Sequence, residues 1–357
     1  MGNYGPFARR ATALCAALLV ISTGARAQSA AGQKSSAPRH KASGAVLPKI
    51  SLSPRFVPGE SFRYEMEFET TNDTSRTGFA ADPQGPSSVV VNWNATIRID
   101  VLAPEDGPAG VAGGIRLRTT YEKSTASVHS DTFDPTAAEA TAQYQQLEGK
   151  VIEFTLDSAR KVVEVSGIEG IADSEKAARA ARDWISQLGA GANAPSGGIS
   201  VGQTWSSEQP ATALPIAGLV WRAESEYVGN EACHPPNPDV PSGPGAGGAG
   251  DTANANAAPD CAVILAKLSL VRPKTARETT PSELRENGVQ SAGKWTGTAQ
   301  SLVYISLDTG MVVSATQTGS EEMDVTLTSS HNTTMRLRGT ISTRSQVALA
   351  ADDAQKR

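Results

Sequence analysis

The sequence predicts a mainly β protein, built of curved antiparallel sheets or a half-open barrel with one amphipathic helix packed on the sheet. Three observations predict it. Apolar and polar residues alternate with a period of two over Phe62–Glu69, where Phe62, Tyr64, Met66 and Phe68 interleave with Arg63, Glu65, Glu67 and Glu69. That period places one set of side chains on a buried face and the three glutamates on a solvated one. Similar short segments recur along the chain, separated by Gly, Pro and Asp turns. Helical periodicity, by contrast, is confined to two stretches.

The first element is not part of the fold. Arg9 and Arg10 precede a short apolar run, Ala11–Ser22, and Ala25-Arg26-Ala27 offers a small-x-small cleavage pattern. Residues 1–27 therefore read as a secretory signal, with an apolar stretch too short to span a bilayer. Two rival readings fit less well. Twin-arginine export wants large apolar residues where Ala11-Thr12-Ala13 stands, and lipidation of Cys15 wants a small residue where Leu14 stands. Cleavage leaves 330 residues from 357 and, with Arg9, Arg10 and Arg26 gone, a net charge of −8 in place of −5. Such a balance gives no footprint for nucleic acid. Residues 28–50 are Ala-, Ser-, Lys- and Pro-rich without a period and are expected to form a disordered tether.

A first β-rich half is expected over residues 51–190. After the Phe62 strand come Val89–Leu102, Gly114–Ser127, Val151–Leu156 and Lys161–Val165. Pro83, Gly85 and Pro86, then Pro104 to Gly107, mark turns between them. One helix is expected from Asp134 to Leu147, with Asp134 as its cap, Pro135 in its first position and Gly149 beyond its end. A second is expected from Asp173 to Leu188, where Ala177, Ala181, Trp184, Ile185 and Leu188 share a face.

The second half, residues 195–347, is again strand-like at Gly218–Val228, Ala262–Val271, Lys294–Ser306, Met311–Thr318, Glu322–Ser329 and Thr334–Ser345. A helical turn is expected at Pro281–Glu286 and fraying over residues 348–357. A flexible loop, 234–260, interrupts this half, with no large apolar residue from Pro241 to Pro259. It is flanked by Cys233 and Cys261, the two cysteines left after cleavage. An even pair in an oxidising compartment reads most simply as a disulfide clipping the base of that loop. Unpaired thiols are a weaker reading, and a metal site of Cys233, His234 and Cys261 lacks a fourth ligand.

The halves echo one another, which suggests an internal duplication. Val57-Pro58-Gly59-Glu60-Ser61-Phe62 parallels Ser200-Val201-Gly202-Gln203-Thr204-Trp205. Ile152–Asp157 leading into Val162-Val163 parallels Val303–Asp308 leading into Val312-Val313. Gly59 and Gly202, Pro135 and Pro281, and Asp157 and Asp308 are separated by 143, 146 and 151 residues, an orderly drift. Chance likeness among antiparallel hairpins is the competing explanation. A strand opened by Gly-[Glu/Gln]-[Ser/Thr]-[Phe/Trp], with a hairpin of apolar strand, Leu-Asp, small turn and Val-Val, resembles exported bacterial β-rich domains of unknown function. Their fold is similar to that of the periplasmic lipoprotein carriers, a half-open barrel closed by helices. The resemblance extends over residues 56–347 and implies no catalytic residues. The chain departs from membrane-attached relatives in having no lipidated Cys.

Catalytic patterns are scarce. There is no Gly-x-Ser-x-Gly elbow, no His-Glu-x-x-His pair and no phosphate-cradling glycine loop. Of four histidines, His40 lies in the tether and His234 in the loop. His129 and His331 stand near strands, where either could serve as a base. Asp131 with Asp134 is a candidate carboxylate pair, although Asp134 suits a helix cap better. No catalytic residue, metal ligand or cofactor is assigned. The candidate ligand-binding residues are aromatic: Phe62, Tyr64, Phe68, Trp93, Trp184 and Trp295, for which core packing is the alternative role. The function expected is an exported binding or carrier module for an apolar or amphiphilic envelope component. A structural or protein-interaction domain of the envelope is the alternative partner role, and an enzyme without a recognisable motif is a third. No apolar run is long enough for a membrane-spanning helix.

Overall fold

In the computed structural model the described residues are 49–79, 81, 84–103, 114–132, 137–157, 162–168, 194–195, 197–211, 214–233 and 260–350. The expected signal segment, most of the expected tether, the segment between the cysteines and the expected 173–188 helix with Trp184 lie outside them. The described residues form eleven strands: β1 Ser61–Gly78, β2 Ser87–Leu102, β3 Ile115–Ser130, β4 Val151–Leu156, β5 Val162–Ser166, β6 Thr204–Pro210, β7 Val220–Ala232, β8 Asp260–Val271, β9 Val289–Ser306, β10 Val312–Ser329 and β11 Thr334–Leu349. Two short helices accompany them, α1 Ala137–Gln145 between β3 and β4 and α2 Ser282–Glu286 between β8 and β9.

All eleven strands belong to one open antiparallel sheet, in the order β5-β4-β3-β2-β1-β11-β10-β9-β8-β7-β6. Two meanders are thus joined by one long-range pairing, from Tyr64 opposite Leu349 to Gly78 opposite Met335. The order of described elements is the same in both meanders: three strands, a short helix, then strands again. The edge strands β5 and β6 have 5 and 7 residues, against 12–18 for most inner strands. Short edges are a common way to limit pairing with other chains.

Alternation sets which face turns inward. Phe62, Tyr64, Met66 and Phe68 are buried and Glu65, Glu67 and Glu69 exposed. Carried through the registers, the same face gathers Trp93, Ile97 and Ile99 of β2, Phe154 of β4, Ala315, Met323 and Val325 of β10, and Trp295 and Val303 of β9. This face is concave. Side chains from β1–β4 share a cluster with Tyr227 of β7, Ile264 of β8 and Ile305 of β9, which are far away in strand order. The Tyr64 hydroxyl donates to the Val312 carbonyl at 3.0 Å, across the intervening β11. Reciprocal 2.9 Å bonds between Ile50 and Ile199 tie the entries of the two meanders together. A register shift at Tyr227/Gly229 between β7 and β8, and another at Thr96/Ile97 between β2 and β3, add local twist.

Three elements differ from expectation. Met311–Thr318 and Glu322–Ser329 are one strand, β10, since Gly319 and Ser320 stay in the ladder opposite Thr343 and Ser342. β6 carries the strand opening expected at Thr204-Trp205 on to Pro210, although its residues are polar and its alternation weak. β11 continues to Leu349, and the Ala350 amide donates to the Arg63 carbonyl at 2.8 Å. The expected helical turn is present as α2, with Pro281 at its N-cap.

Candidate functional site

The concave face carries two apolar clusters. In the first, α1 packs on β3: the rings of Trp93 and Tyr144 lie 6.0 Å apart. The Trp93 indole N–H donates to Ser124 Oγ at 2.9 Å, and Ser124 Oγ donates to the Tyr144 carbonyl at 2.7 Å. The second cluster lies towards the other end of β7–β10, around Trp221, Leu268, Leu270, Trp295, Ala299, Met323 and Val325, with Ile216 and Leu219 from the segment before β7.

Between these clusters the inward residues of β10 read Ala315, Gln317, Gly319, Glu321, Met323. An amide and a carboxyl therefore stand on one face, roughly 13 Å apart along the strand, with a glycine between them. Gly319 faces Ala299 of β9 and Thr343 of β11, and Glu321 faces Gly297. Beside Gly319 lies a shallow, open cleft that encloses about 20 Å³, the room of about one water. Trp221, Leu268, Ala299, Gln317, Glu321 and Thr343 line it. A side chain at either glycine would force its neighbours to shift. A Cβ at Gly297 would lie 2.8 Å from Cη2 of Trp221 and 2.9 Å from Cγ of Glu321, and one at Gly319 would lie 2.9 Å from Thr343 Oγ1.

Glu321 is electrostatically distinct. Burial pushes its carboxyl above the usual carboxylate range, while the Trp295 indole N–H, donating to Oε2 at 2.6 Å, pulls the other way. Three acids of the convex face are held by arginines. Glu122 contacts Arg63 at 2.7 Å and Arg98 at 3.3 Å, Glu153 contacts Arg116 and Arg118, and Asp324 contacts Arg336 and Arg338. Glu321 takes part in no ion pair among the described residues. Further along β10, Gln317 is the direct partner of Ser301 on β9, and they are 8 % and 2 % exposed. Gln317 Oε1 and Ser301 Oγ are buried with no hydrogen-bond partner among the described residues, as is the Trp205 indole nitrogen further along the same row. An unpaired buried polar atom costs about 1–3 kcal/mol, so two adjacent ones beside a cleft suggest a ligand group that pairs with them.

The structure divides the sequence-predicted residues. Phe62, Tyr64, Phe68 and Trp93 come together in the first cluster, each at most 4 % exposed, and Trp295 belongs to the second. Trp184 lies outside the described residues. Cys233 and Cys261 form a disulfide, which leaves no thiolate for a metal site. His129 is exposed on β3, and His331 is exposed in the β10–β11 turn, far along the sheet from it. Asp131 accepts the Ser88 amide at 2.8 Å, while Asp134 is outside the described residues. Among the described residues no group of three His, Cys, Asp or Glu could hold a metal ion, and no helix is long and apolar enough to cross a membrane.

Sequence reasoning missed Gln317, Glu321 and Trp221. Two signals could have found them. Met323 and Val325 set an inward phase that also assigns Glu321 and Gln317 to the inner face. Isolated glycines in strand interiors, Gly297 and Gly319, mark a close approach or a gap.

No protein-family model matches the chain, and no curated protein matches it. Among solved structures it is similar to one titled for lipid–protein interactions in lipovitellin, with 11 % identity and a TM-score of 0.42. That match covers 83 % of this chain and 25 % of the other, so the chain spans about a quarter of its length. It is also similar to DynF from the dynemicin biosynthesis pathway of Micromonospora chersina, with 10 % identity, a TM-score of 0.18 and coverage of 91 % and 95 %. A third likeness is to the outer membrane protein OprG of Pseudomonas aeruginosa, with 8 % identity, a TM-score of 0.18 and coverage of 84 % and 99 %. At such identities and TM-scores these likenesses carry no functional argument.

Proposed function

We propose that this protein is an exported binding module that holds an apolar or amphiphilic small molecule against the concave face of its sheet. The observation that carries the reading is the cleft between Trp221 and Thr343: an apolar wall, the buried Gln317 amide oxygen without a partner, and a carboxyl with no ion pair among the described residues. The enclosed part of the cleft is small, about 20 Å³, so the ligand would lie mostly against the open concave face rather than inside a closed pocket. Neither described helix contributes to its lining. Apolar walls with a few placed polar groups are the usual make-up of such sites. The Cys233–Cys261 disulfide and the leader expected over residues 1–27 support export to an oxidising compartment.

The test is a titration with decanol below its solubility limit, followed by tryptophan emission, alongside native mass spectrometry of gently purified protein. Saturable one-to-one binding that Gly297→Val abolishes and Trp93→Phe preserves supports the reading. A linear, unsaturable response with no bound mass overturns it.

A further inference from the structure

We propose that the segment Lys49–Arg55 is a releasable strap: it closes the end of the trough that carries the disulfide, and its departure uncovers apolar residues of the first cluster while the sheet stays paired. The inference does not depend on the binding reading above. Three observations on different residues point to it.

First, the segment is fastened at its two ends and lies outside the ladder. Ile50 and Ile199 exchange two bonds of 2.9 Å as an isolated bridge, just before β6. The Arg55 amide donates to the Thr309 carbonyl at 2.7 Å, in the turn between β9 and β10. Among the described residues these three bonds are all that tie its backbone to the rest of the molecule. Pro54 has no amide hydrogen to add another. The same end of the sheet holds Cys261, which pairs opposite Ser306.

Second, each fastening is a seat without a side chain. Gly198 has φ +74° and Gly310 φ +67°. A Cβ at Gly198 would lie 2.9 Å from the Ile50 carbonyl oxygen. One at Gly310 would lie 3.0 Å from Cα of Pro54 and would collide with the Ser53 carbonyl. Glycine is what lets two backbones approach this closely.

Third, the strap alternates. Leu52 and Pro54 are buried, whereas Ser51, Ser53 and Arg55 are exposed. Leu52, 3 % exposed, belongs to the first cluster together with Ile199, Ile305 and Met311. Ile199 and Met311 directly follow the two seat glycines, so a strap that leaves turns this corner of the cluster into an apolar mouth.

Release forfeits three hydrogen bonds and the burial of two side chains, and it returns conformational freedom to seven residues. No strand pairing is lost. The turn at Val57–Glu60 keeps the root of the strap in place, because Gly59 donates to the Val101 carbonyl and the Val101 amide to the Glu60 carbonyl, each at 2.8 Å. A segment with so few ties opens at lower cost than a strand paired on both sides.

The experiment follows amide exchange of the full chain by mass spectrometry, alongside the emission of anilinonaphthalene sulfonate, a dye that reports exposed apolar surface. In the unmodified protein, peptides spanning residues 49–56 should exchange at least about ten-fold faster than peptides spanning 62–68, which are paired with β2 and β11. Leu52→Asp removes the apolar anchor and leaves every ladder bond in place. It should speed exchange of the strap a further ten-fold or so and raise dye emission, with exchange over 62–68 unchanged within about two-fold. Gly310→Ala should do the same by pushing on Ser53. Gly149→Ala, also at a positive φ but with nothing within 4 Å of its Cβ, should do neither. Equal exchange of strap and ladder in the unmodified protein overturns the proposal. So does Leu52→Asp if it changes neither strap exchange nor dye emission, or if it strips protection from β1 as well, which would make the strap part of the core. The comparison within the unmodified chain decides the matter even if the variants do not fold.

Discussion

The two apolar clusters occupy one face of one sheet, yet they are closed differently. In the first, Phe62, Tyr64, Ile97 and Phe154 are at most 1 % exposed, α1 lays Tyr144 against Trp93, and the Tyr64 hydroxyl is bonded. In the second, Trp221, Trp295 and Met323 keep 8–9 % of their surface, and a carboxyl and an unsatisfied amide border a cleft. The first arrangement is what burial and hydrogen bonding favour. The second leaves apolar surface and polar groups unpaired, which costs stability. Under the proposed function, the contrast gives folding to one end of the trough and binding to the other.

Truncation should separate these roles most sharply. Phe62→Ala removes a ring from a closed core and should cost about 3–5 kcal/mol. Met323→Ala, beside a cleft that water can enter, should cost about 2–3 kcal/mol, near the low end for such truncations. Urea midpoints read the difference. Equal costs would mean that the second cluster is as closed as the first.

The disulfide probes the same division from the covalent side. Cys261 pairs opposite Glu231 at the end of β8 that also supplies Ala262 and Ile264 to the first cluster. The bridge closes a 28-residue separation, for which chain entropy gives about 3–4 kcal/mol. Replacing both cysteines with serine should lower the urea midpoint accordingly and leave decanol affinity unchanged. A matching loss of affinity would show that the two ends are mechanically coupled.

How much of this contrast was legible in the sequence depends on the residue. The first cluster was legible: Phe62, Tyr64, Met66 and Phe68 alternate with charged residues in one unbroken strand, so the period alone assigns their face. The hairpin at Leu307-Asp308 and the helical turn after Pro281 were legible for the same local reason. β10 was not read as one strand, because Gly319-Ser320 looks like a turn when pairing partners are unknown. The cleft was illegible as a place. It joins Trp221, Gly297 and Glu321 from β7, β9 and β10, and only register brings them together. The pairing of β1 with β11, on which the whole sheet depends, links segments at opposite ends of the described chain and leaves no local trace.

Filling the cleft should affect binding more than folding. Gly297→Val puts branched carbons where Trp221 and Glu321 already crowd the space, and overpacking of this kind costs about 1–3 kcal/mol. Both neighbours are side chains rather than backbone and can yield at that cost, so the protein should still unfold cooperatively while decanol binding is lost. Retained binding would move the ligand away from Gly297.

The smallest effect has the most informative sign. The Arg63 hydrogen bond, opposed by partial burial and supported by the charges of Arg63 and Arg98, holds the Glu122 carboxyl below the usual carboxylate range. Its contribution is therefore present above the unfolded-state pKa and is lost as pH falls through the lower folded value. Glu122→Gln should lower stability at neutral pH by about 0.2–1 kcal/mol, since the pair is partly solvated, and change little in strong acid. Glu321 runs the other way. Burial holds its carboxyl above the usual range, so the folded state binds its proton more tightly than the unfolded chain does. That favours folding below the unfolded-state pKa, and the advantage disappears as pH rises through the raised folded value. Glu321→Gln should thus raise the ligand-free melting temperature at pH 8 and lose that gain in acid, opposite in sign to Glu122→Gln at pH 8. Melting both variants and the parent at pH 8 and about pH 3 reads the four differences. A drop for Glu321→Gln at pH 8 would mean that its carboxylate, held by Trp295, stabilises the empty fold.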